Sequence, residues 1–339
     1  MHILVTGGAG YIGSHVVKQL IETTTHRISI LDNLSTGHRS TVDMLNQIAR
    51  DKGNRNGITF YHEDLKHFDT IKKIFETGSF DAVMHFAASI VVPESVENPL
   101  KYYMNNTVNT THLIQLCTAY NVKHFIFSST AAVYGEPNEP QVTETTRTLP
   151  INPYGRSKLM SEQVLQDATQ AHKDFSHVIL RYFNVAGADI HNRIGQSFPN
   201  ATHLIKVAAQ TAIGSRENMM IFGDDYATPD GTCIRDYIHV DDLASAHLKA
   251  LEYLEEGRDS SVFNVGYGHG YSVKEVVLTM KEVSNTDFSV LMAPRRAGDP
   301  AVLISNNSKI KSVLRWSAQY DDLALICQTA LAWERTVQN

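Results

Sequence analysis

The chain has 339 residues, 42% of them hydrophobic, and a formal net charge of −6. That composition supplies a sizeable core and excludes a disordered tail or a small disulfide-stapled module. The mild acidity gives no electrostatic footprint for nucleic acid or anionic lipid, and the apolar runs are too short to span a bilayer.

The opening MHILVTGGAG goes straight into a strand, with no basic stretch before a long apolar run, so no secretory signal is expected. Short β-branched or aromatic runs follow over 3–6, 28–31, 58–61, 82–86, 124–128 and 178–183. Amphipathic segments of helical length lie over 14–23, 70–76, 102–120 and 154–171, and 33–57 mixes a loop with a helix. Strands alternating with helices predict right-handed βαβ units and a parallel sheet, hence an α/β fold. Beyond about 185 the pattern loosens into long loops over 186–199 and 221–236, helices over 240–254 and 273–282, and a short strand over 262–265. Two domains are expected, 1–185 and a smaller, less regular 186–339, with the chain crossing between them. Cys117, Cys233 and Cys327 are far apart and odd in number. They fit a reducing cytoplasm better than a disulfide framework.

The first loop holds the first chemical signal. Gly7, Gly10 and Gly13 form G-x-x-G-x-x-G between a strand and a helix starting near Ser14. That spacing allows a tight turn, close backbone approach to a pyrophosphate, and free amides at a helix N-terminus. Asp32 ends the next strand, where a carboxylate accepts ribose hydroxyls and repels a 2′-phosphate. Together they predict a dinucleotide site in the parallel sheet of 1–185 that favours NAD over NADP, with Arg39 a few residues on as the cation that could meet a 2′-phosphate. Asp64, after the third strand, is a candidate for the adenine end.

The second signal is Tyr154 with Lys158 four residues on, facing one side of a helix. An ammonium and a cationic ring beside a phenol would lower its pKa from ~10 and make Tyr154 a general base. Ser128-Ser129-Thr130 closes a strand at the same carboxyl edge, and Thr130 is the candidate hydroxyl for sharing a proton with Tyr154. The 16 His show neither HExxH nor Cys/His metal spacing, so no metal is expected.

The stretches VTGGAGYIGSH (5–15), FIFSSTAAVYGE (125–136), NPYGRSKLMSE (152–162), LRYFNVAGA (180–188), FGDDYATPDGTCIRDYIHVDDLA (222–244) and APRRAGDPA (293–301) carry a resemblance across nearly the whole chain. The chain resembles the extended short-chain dehydrogenase/reductases, and within them the UDP-glucose 4-epimerases. The resemblance implies a Rossmann-type doubly wound sheet over 1–185, a UDP-hexose substrate, a nucleotide-sugar-binding lobe over 186–339, and a pair of dimer-forming helices over 102–120 and 154–171. It implies inversion at carbon 4 through a transient 4-keto sugar and bound NAD, with no net oxidation.

By the same resemblance Tyr154 is the catalytic base, Lys158 its partner and Thr130 the proton-sharing hydroxyl. Cofactor contacts fall on Gly7, Gly10, Tyr11, Ile12, Gly13, Asp32, Asn33, Asp64, Leu65, Phe86, Ala87, Asn105, Ser128 and Tyr182, besides the Tyr-Lys pair. Substrate contacts fall on Asn184, His203, Leu204, Phe222, Arg235, Arg296 and Asp299, together with Thr130 and Tyr154. The arginines suit a diphosphate through their bidentate fork. Leu303 falls where the family walls the pocket beside carbon 2 of the sugar. Its intermediate size predicts a preference for UDP-glucose and UDP-galactose over UDP-N-acetylglucosamine.

Two stretches depart from the family pattern. Ala88-Ser89-Ile90 lacks a lysine that some members carry, and 199–204 reads Pro-Asn-Ala-Thr-His-Leu where an amide is common. Rival readings are a UDP-N-acetylglucosamine or UDP-uronate 4-epimerase, a 4,6-dehydratase, and a non-catalytic NAD-binding sensor. Ala131-Ala132 after Thr130 argues against the dehydratase, which needs an acid pair there. The intact Tyr-Lys pair argues against the sensor.

Overall fold

The computed structural model describes residues 1–53, 57–198, 202–296 and 299–338. The chain forms two compact units. The first holds residues 1–133, 150–181 and 244–263, and the second holds 134–149, 182–243 and 264–339.

The first unit is built on a seven-stranded sheet. Its strands are β1 (His2–Thr6), β2 (Arg27–Asp32), β3 (Thr59–His62), β4 (Ala82–His85), β5 (His124–Thr130), β6 (Ser176–Tyr182) and β7 (Ser261–Val265). They lie in the order β7-β6-β5-β4-β1-β2-β3. The run from β3 through β2, β1 and β4 to β5 pairs parallel throughout. Every residue of β1 is buried, as a strand covered on both faces requires. The strand order reverses between β1 and β4, and the crevice at their carboxyl ends is where such sheets take ligands.

The helices follow the apolar periodicity. They include α1 (Tyr11–Thr23), α2 (Arg39–Asp51), α3 (Phe68–Gly78), α4 (Asn109–Ala119) and α5 (Pro153–Ala171). Ile71 and Phe75 of α3, Leu113 and Cys117 of α4, and Leu165 of α5 join Leu4, Val83 and Phe125 of the sheet in one core cluster. Truncating such a residue to alanine typically costs ~2–5 kcal/mol.

The expected helix over 102–120 is not continuous. A short helix, Pro99–Tyr102, leads into a π-helical turn over Tyr103–Val108, and α4 follows. The Asn106 carbonyl explains the break, because it accepts hydroxyl bonds from Thr110 at 2.6 Å and Ser161 at 2.8 Å. Side-chain donors thus compete with the regular backbone ladder there.

The second unit is less regular. A four-stranded sheet runs in the order Tyr271–Ser272, Ile234–Arg235, Val302–Ser305, Gln141–Val142. Two parallel pairs accompany it, Asn184–Ala186 with Tyr237–His239 and Asn218–Phe222 with Ser289–Ala293. The expected loop over 221–236 therefore begins and ends in strands. Asp236 ties the sheet together from within. Its carboxylate accepts the backbone amides of Tyr267 at 2.8 Å, Gly268 at 3.0 Å and Ser305 at 3.1 Å, and the Ser305 hydroxyl at 2.6 Å. The helix Val273–Ser284 starts with a capping box, Ser272 with Glu275, of the kind typically worth ~1 kcal/mol.

Candidate active site

The glycine loop of the first unit leaves no room for side chains. Gly7 has φ +74°, and a Cβ there would lie 2.7 Å from the Ala87 amide nitrogen. A Cβ on Gly13 would lie 2.3 Å from the Gly7 carbonyl oxygen. The loops after β1 and β4 are thereby pressed together at the switch point. Helix α1 begins at Tyr11, three residues earlier than expected, and its N-cap Gly10 offers no side chain to the first amides. No acidic residue stands in that first turn. Uncapped amides and a positive dipole end suit a pyrophosphate. Tyr11 and Ile12 are half-buried at this end.

Asp32 is buried and bound to the loop. It accepts the Ala9 amide at 3.0 Å and the Leu34 amide at 2.8 Å, one on each oxygen. Burial raises its carboxyl above the usual range, against those bonds. Each oxygen retains a lone pair for a ribose hydroxyl. Asn33 donates to Asp64 at 2.9 Å, linking two expected adenosine-side residues. Burial opposes ionisation of Asp64, but the Lys66 amide, Asn33 and the Lys66 ammonium win and hold its pKa low. These features fit a dinucleotide: a side-chain-free cradle, open helix amides, and a carboxylate fixed beside them. Leu65 is a core residue. Phe86 packs against His247, with ring centroids 4.8 Å apart.

Asn105 lies in the π-helical turn and donates to the Ser89 hydroxyl at 3.1 Å. The adjacent Asn106 is buried and joins Ser89, whose amide and carbonyl it binds, to the Ser157 hydroxyl at 3.0 Å. Ser89 is thus part of a polar network. Sequence reasoning did not single out Asn106 or Ser157.

Helix α5 positions the Tyr-Lys pair. Asn152 caps it by accepting the Gly155 amide at 2.9 Å, with Pro153 at the first helical position. A Cβ on Gly155 would lie 2.7 Å from the Ala132 carbonyl oxygen, so glycine lets the helix start close to the end of β5. Half-buried Tyr154 lies beside the Thr130 hydroxyl, whose interaction eases ionisation of the phenol. Buried Lys158 donates to the Ser128 carbonyl at 2.7 Å and sits 4.8 Å from the centre of the Phe127 ring.

Burial raises the Tyr154 phenol, and the Thr130 hydroxyl only partly offsets that. Burial likewise pushes Lys158 down to about 7, while the Glu162 charge pulls it up. The lowering expected of the phenol depends on a cationic ring beside it; the protein's own groups favour the neutral phenol. His85 stays neutral, pushed down to about 3 by burial and then by Lys158.

The second unit holds the remaining candidates. Arg235 is mostly buried and pairs with Asp299 at 3.1 Å. Phe222 closes its strand opposite Ala293, and the exposed Arg296 guanidinium lies 3.8 Å from the Phe222 ring centre. Leu303 faces Arg235 in register on the neighbouring strand. Asn184 is exposed and opposite Tyr237. His203 is the N-cap residue of the helix Leu204–Ala212, and its ring contacts Gln196 at 2.9 Å. Tyr182 is buried at the end of β6 and belongs to this unit. Of the segments read from sequence, 199–201 and 297–298 lie outside the described residues. Among the described residues no cluster of His, Cys, Asp and Glu could hold a metal ion, and no helix is long and apolar enough to cross a membrane.

Comparison with known proteins extends the match to the whole chain. A UDP-glucose 4-epimerase of Azospirillum brasilense is 48% identical over 99% of this chain and 92% of its own. The structure of the UDP-Glc/GlcNAc 4-epimerase from Campylobacter jejuni is 58% identical, covers 99% of both chains and superposes with a TM-score of 0.85. That of the UDP-glucose 4-epimerase from Bifidobacterium longum in complex with NAD⁺ and UDP is 35% identical, covers 99% of this chain and 98% of its own, and gives a TM-score of 0.92. Residues 3–266 match the model of the NAD dependent epimerase/dehydratase family. With the glycine cradle, the strand-end carboxylate and the Thr-Tyr-Lys cluster already in place, the chain belongs to that family.

Proposed function

We propose that the protein is an NAD-dependent UDP-glucose 4-epimerase that interconverts UDP-galactose and UDP-glucose. The observation that carries the reading is the cluster of Thr130, Tyr154 and buried Lys158, the lysine one helical turn from the tyrosine and bonded to the Ser128 carbonyl. NAD belongs on the glycine cradle, with its ribose on Asp32 and further contacts from Asn33, Asp64, Phe86, Ala87, Asn105, Ser128 and Tyr182. Bound there, it supplies reversible hydride acceptance.

Tyr154 takes the proton of the sugar 4-hydroxyl, directly or through Thr130, as a 4-keto sugar forms. The same phenol returns the proton when the sugar presents its other face. Half-buried Tyr154 is held toward its neutral form and Lys158 is pushed down to about 7, so the pair becomes a base only when further positive charge comes beside it. A cationic nicotinamide ring answers that requirement. Arg235, Arg296, Asn184, His203 and Leu204 hold the diphosphate, and Phe222 and Asp299 hold the uridine. Firm grip on UDP leaves the hexose free to turn.

On this reading residues 1–185 serve the dinucleotide and 186–339 the nucleotide sugar, with the chain crossing between them. A homodimer is supported by exposed apolar side chains on the helical segments over 92–108 and on α5, namely Val96, Leu100, Met104 and Met160. Leu100 is 72% exposed and Met104 58%, unusual for such residues in a solvated helix. Three free, buried cysteines suit the cytoplasm. A second reading, in which UDP-N-acetylglucosamine is also a substrate, draws on the 58% identity to the Campylobacter jejuni enzyme.

Incubation with UDP-galactose and no added cofactor, followed by sugar analysis, tests the proposal. Accumulation of UDP-glucose is expected, and unchanged UDP-galactose refutes it.

A further inference from the structure

Helix α5 grips the end of β5 at three points. Tyr154, Lys158 and Glu162 are spaced four residues apart on one helical face. Tyr154 lies beside the Thr130 hydroxyl, Lys158 donates to the Ser128 carbonyl at 2.7 Å, and the Ser129 hydroxyl donates to Glu162. Each of three consecutive strand residues therefore meets one helix residue, and two of them are hydrogen-bonded to it. Glu162 is 1% exposed, and Arg181 on β6 binds it with Nε at 3.1 Å and Nη2 at 2.6 Å. A carboxylate this deep is stable only when so fully bonded.

We propose that Glu162 is the third member of this ladder, a positioning residue that fixes the strand end carrying Thr130 and supplies the counter-charge of Lys158. It touches no reacting atom. It rests on the epimerase reading only for what Lys158 does, not for how Lys158 is held. The groups around the ammonium are Glu162 on its own helix, His85 on β4, and the Phe127 ring and Ser128 carbonyl on β5; Arg181 on β6 binds Glu162. His85 is neutral, with Thr6 at 2.6 Å and Thr110 at 2.8 Å on its two nitrogens. Glu162 is therefore the anion that favours the charged lysine, and its effect runs in that direction.

Glu162→Gln alone would strand the Arg181 charge and risks unfolding. The test variant is Glu162→Gln with Arg181→Met, which removes the Arg181 charge together with its partner and leaves Lys158 able to shed its proton. Protein carrying ¹³C at the lysine ε-carbon is titrated by NMR, with the Lys158 signal identified by its loss in Lys158→Met. The midpoint of Lys158 is expected to fall by about one pH unit in the folded double variant. The alkaline limb of kcat on UDP-galactose should move with it, with KM unchanged. An unmoved midpoint or an unmoved limb overturns the proposal, since a merely structural pair shifts neither. If the double variant does not fold, Ser129→Ala, which keeps both charges, is read instead. A roughly tenfold drop in kcat with unchanged KM supports the ladder, and a wild-type kcat overturns it. Wild-type protein inert on both UDP-hexoses refutes the epimerase reading, and the NMR titration then decides the role of Glu162 by itself.

Discussion

Leu303 stands in register with Arg235 on adjacent parallel strands of the second unit. Residues paired this way point to the same face of the sheet. The side chain assigned to the sugar pocket thus neighbours the guanidinium assigned to the diphosphate. Leu303 is 9% exposed, so only its edge is free to meet a ligand. Leu303→Ser should raise turnover of UDP-N-acetylglucosamine relative to UDP-glucose by roughly 10-fold, the scale of one methyl-sized clash. An unchanged ratio of the two activities removes Leu303 as the gate.

Tyr154→Phe removes the hydroxyl beside Thr130 and keeps the ring that meets Tyr102 edge-on at 6.4 Å. Folding and NAD binding should survive, while turnover falls by about 10²–10⁴. Steady-state rates on UDP-galactose, beside a melting curve for each protein, check this. Near wild-type turnover would remove Tyr154 from the chemistry.

Cofactor choice follows from Asp32, whose carboxylate is fixed to the Ala9 and Leu34 amides. Nucleotide released by denaturing the purified protein should be NAD, and recovery of mainly NADP would contradict the assignment. Asp32→Ser should weaken NAD binding by about tenfold or more, since two ribose hydrogen bonds to a charged group are lost.

The glycine loop, Asp32 and the Tyr-Lys pair were legible because their needs are local: a tight turn, a strand end, one helical turn. The β-α alternation likewise revealed the large sheet. The π-helical turn at Tyr103–Val108 was not legible, because it depends on Ser161, 55 residues from Asn106. The upward push on the Tyr154 phenol by the protein itself left no trace in the sequence, because burial is a tertiary property. Glu162 left a readable trace, one turn beyond Lys158, but its meaning came only with Arg181 from another strand. Asp236 gave no signal at all, since its partners lie 31 to 69 residues away.

Lys158 makes stability depend on pH in a defined direction. Its folded pKa of about 7 lies below the ordinary lysine value of ~10.4. Between these values the unfolded chain binds more protons, so this residue's contribution to stability rises with pH from about 7 to about 10. Below that window the buried ammonium carries its full penalty. Lys158→Met should flatten this part of the curve of denaturant midpoint against pH, measured on protein stripped of nucleotide. Parallel curves for the two proteins would contradict the shift.

The Arg235–Asp299 pair has a consequence for how substrate arrives. Without ligand, the arginine is already neutralised by a partly exposed carboxylate at 3.1 Å. On the proposed reading, a diphosphate entering there exchanges one anion for another and frees Asp299 for the ribose hydroxyls. Little net charge is gained on association, so ionic strength has little to screen. Added salt should therefore weaken capture of UDP far less than a site of two unpaired arginines would suggest. The pairing also makes the pocket a poor trap for stray inorganic phosphate, whose charge alone does not repay the loss of Asp299.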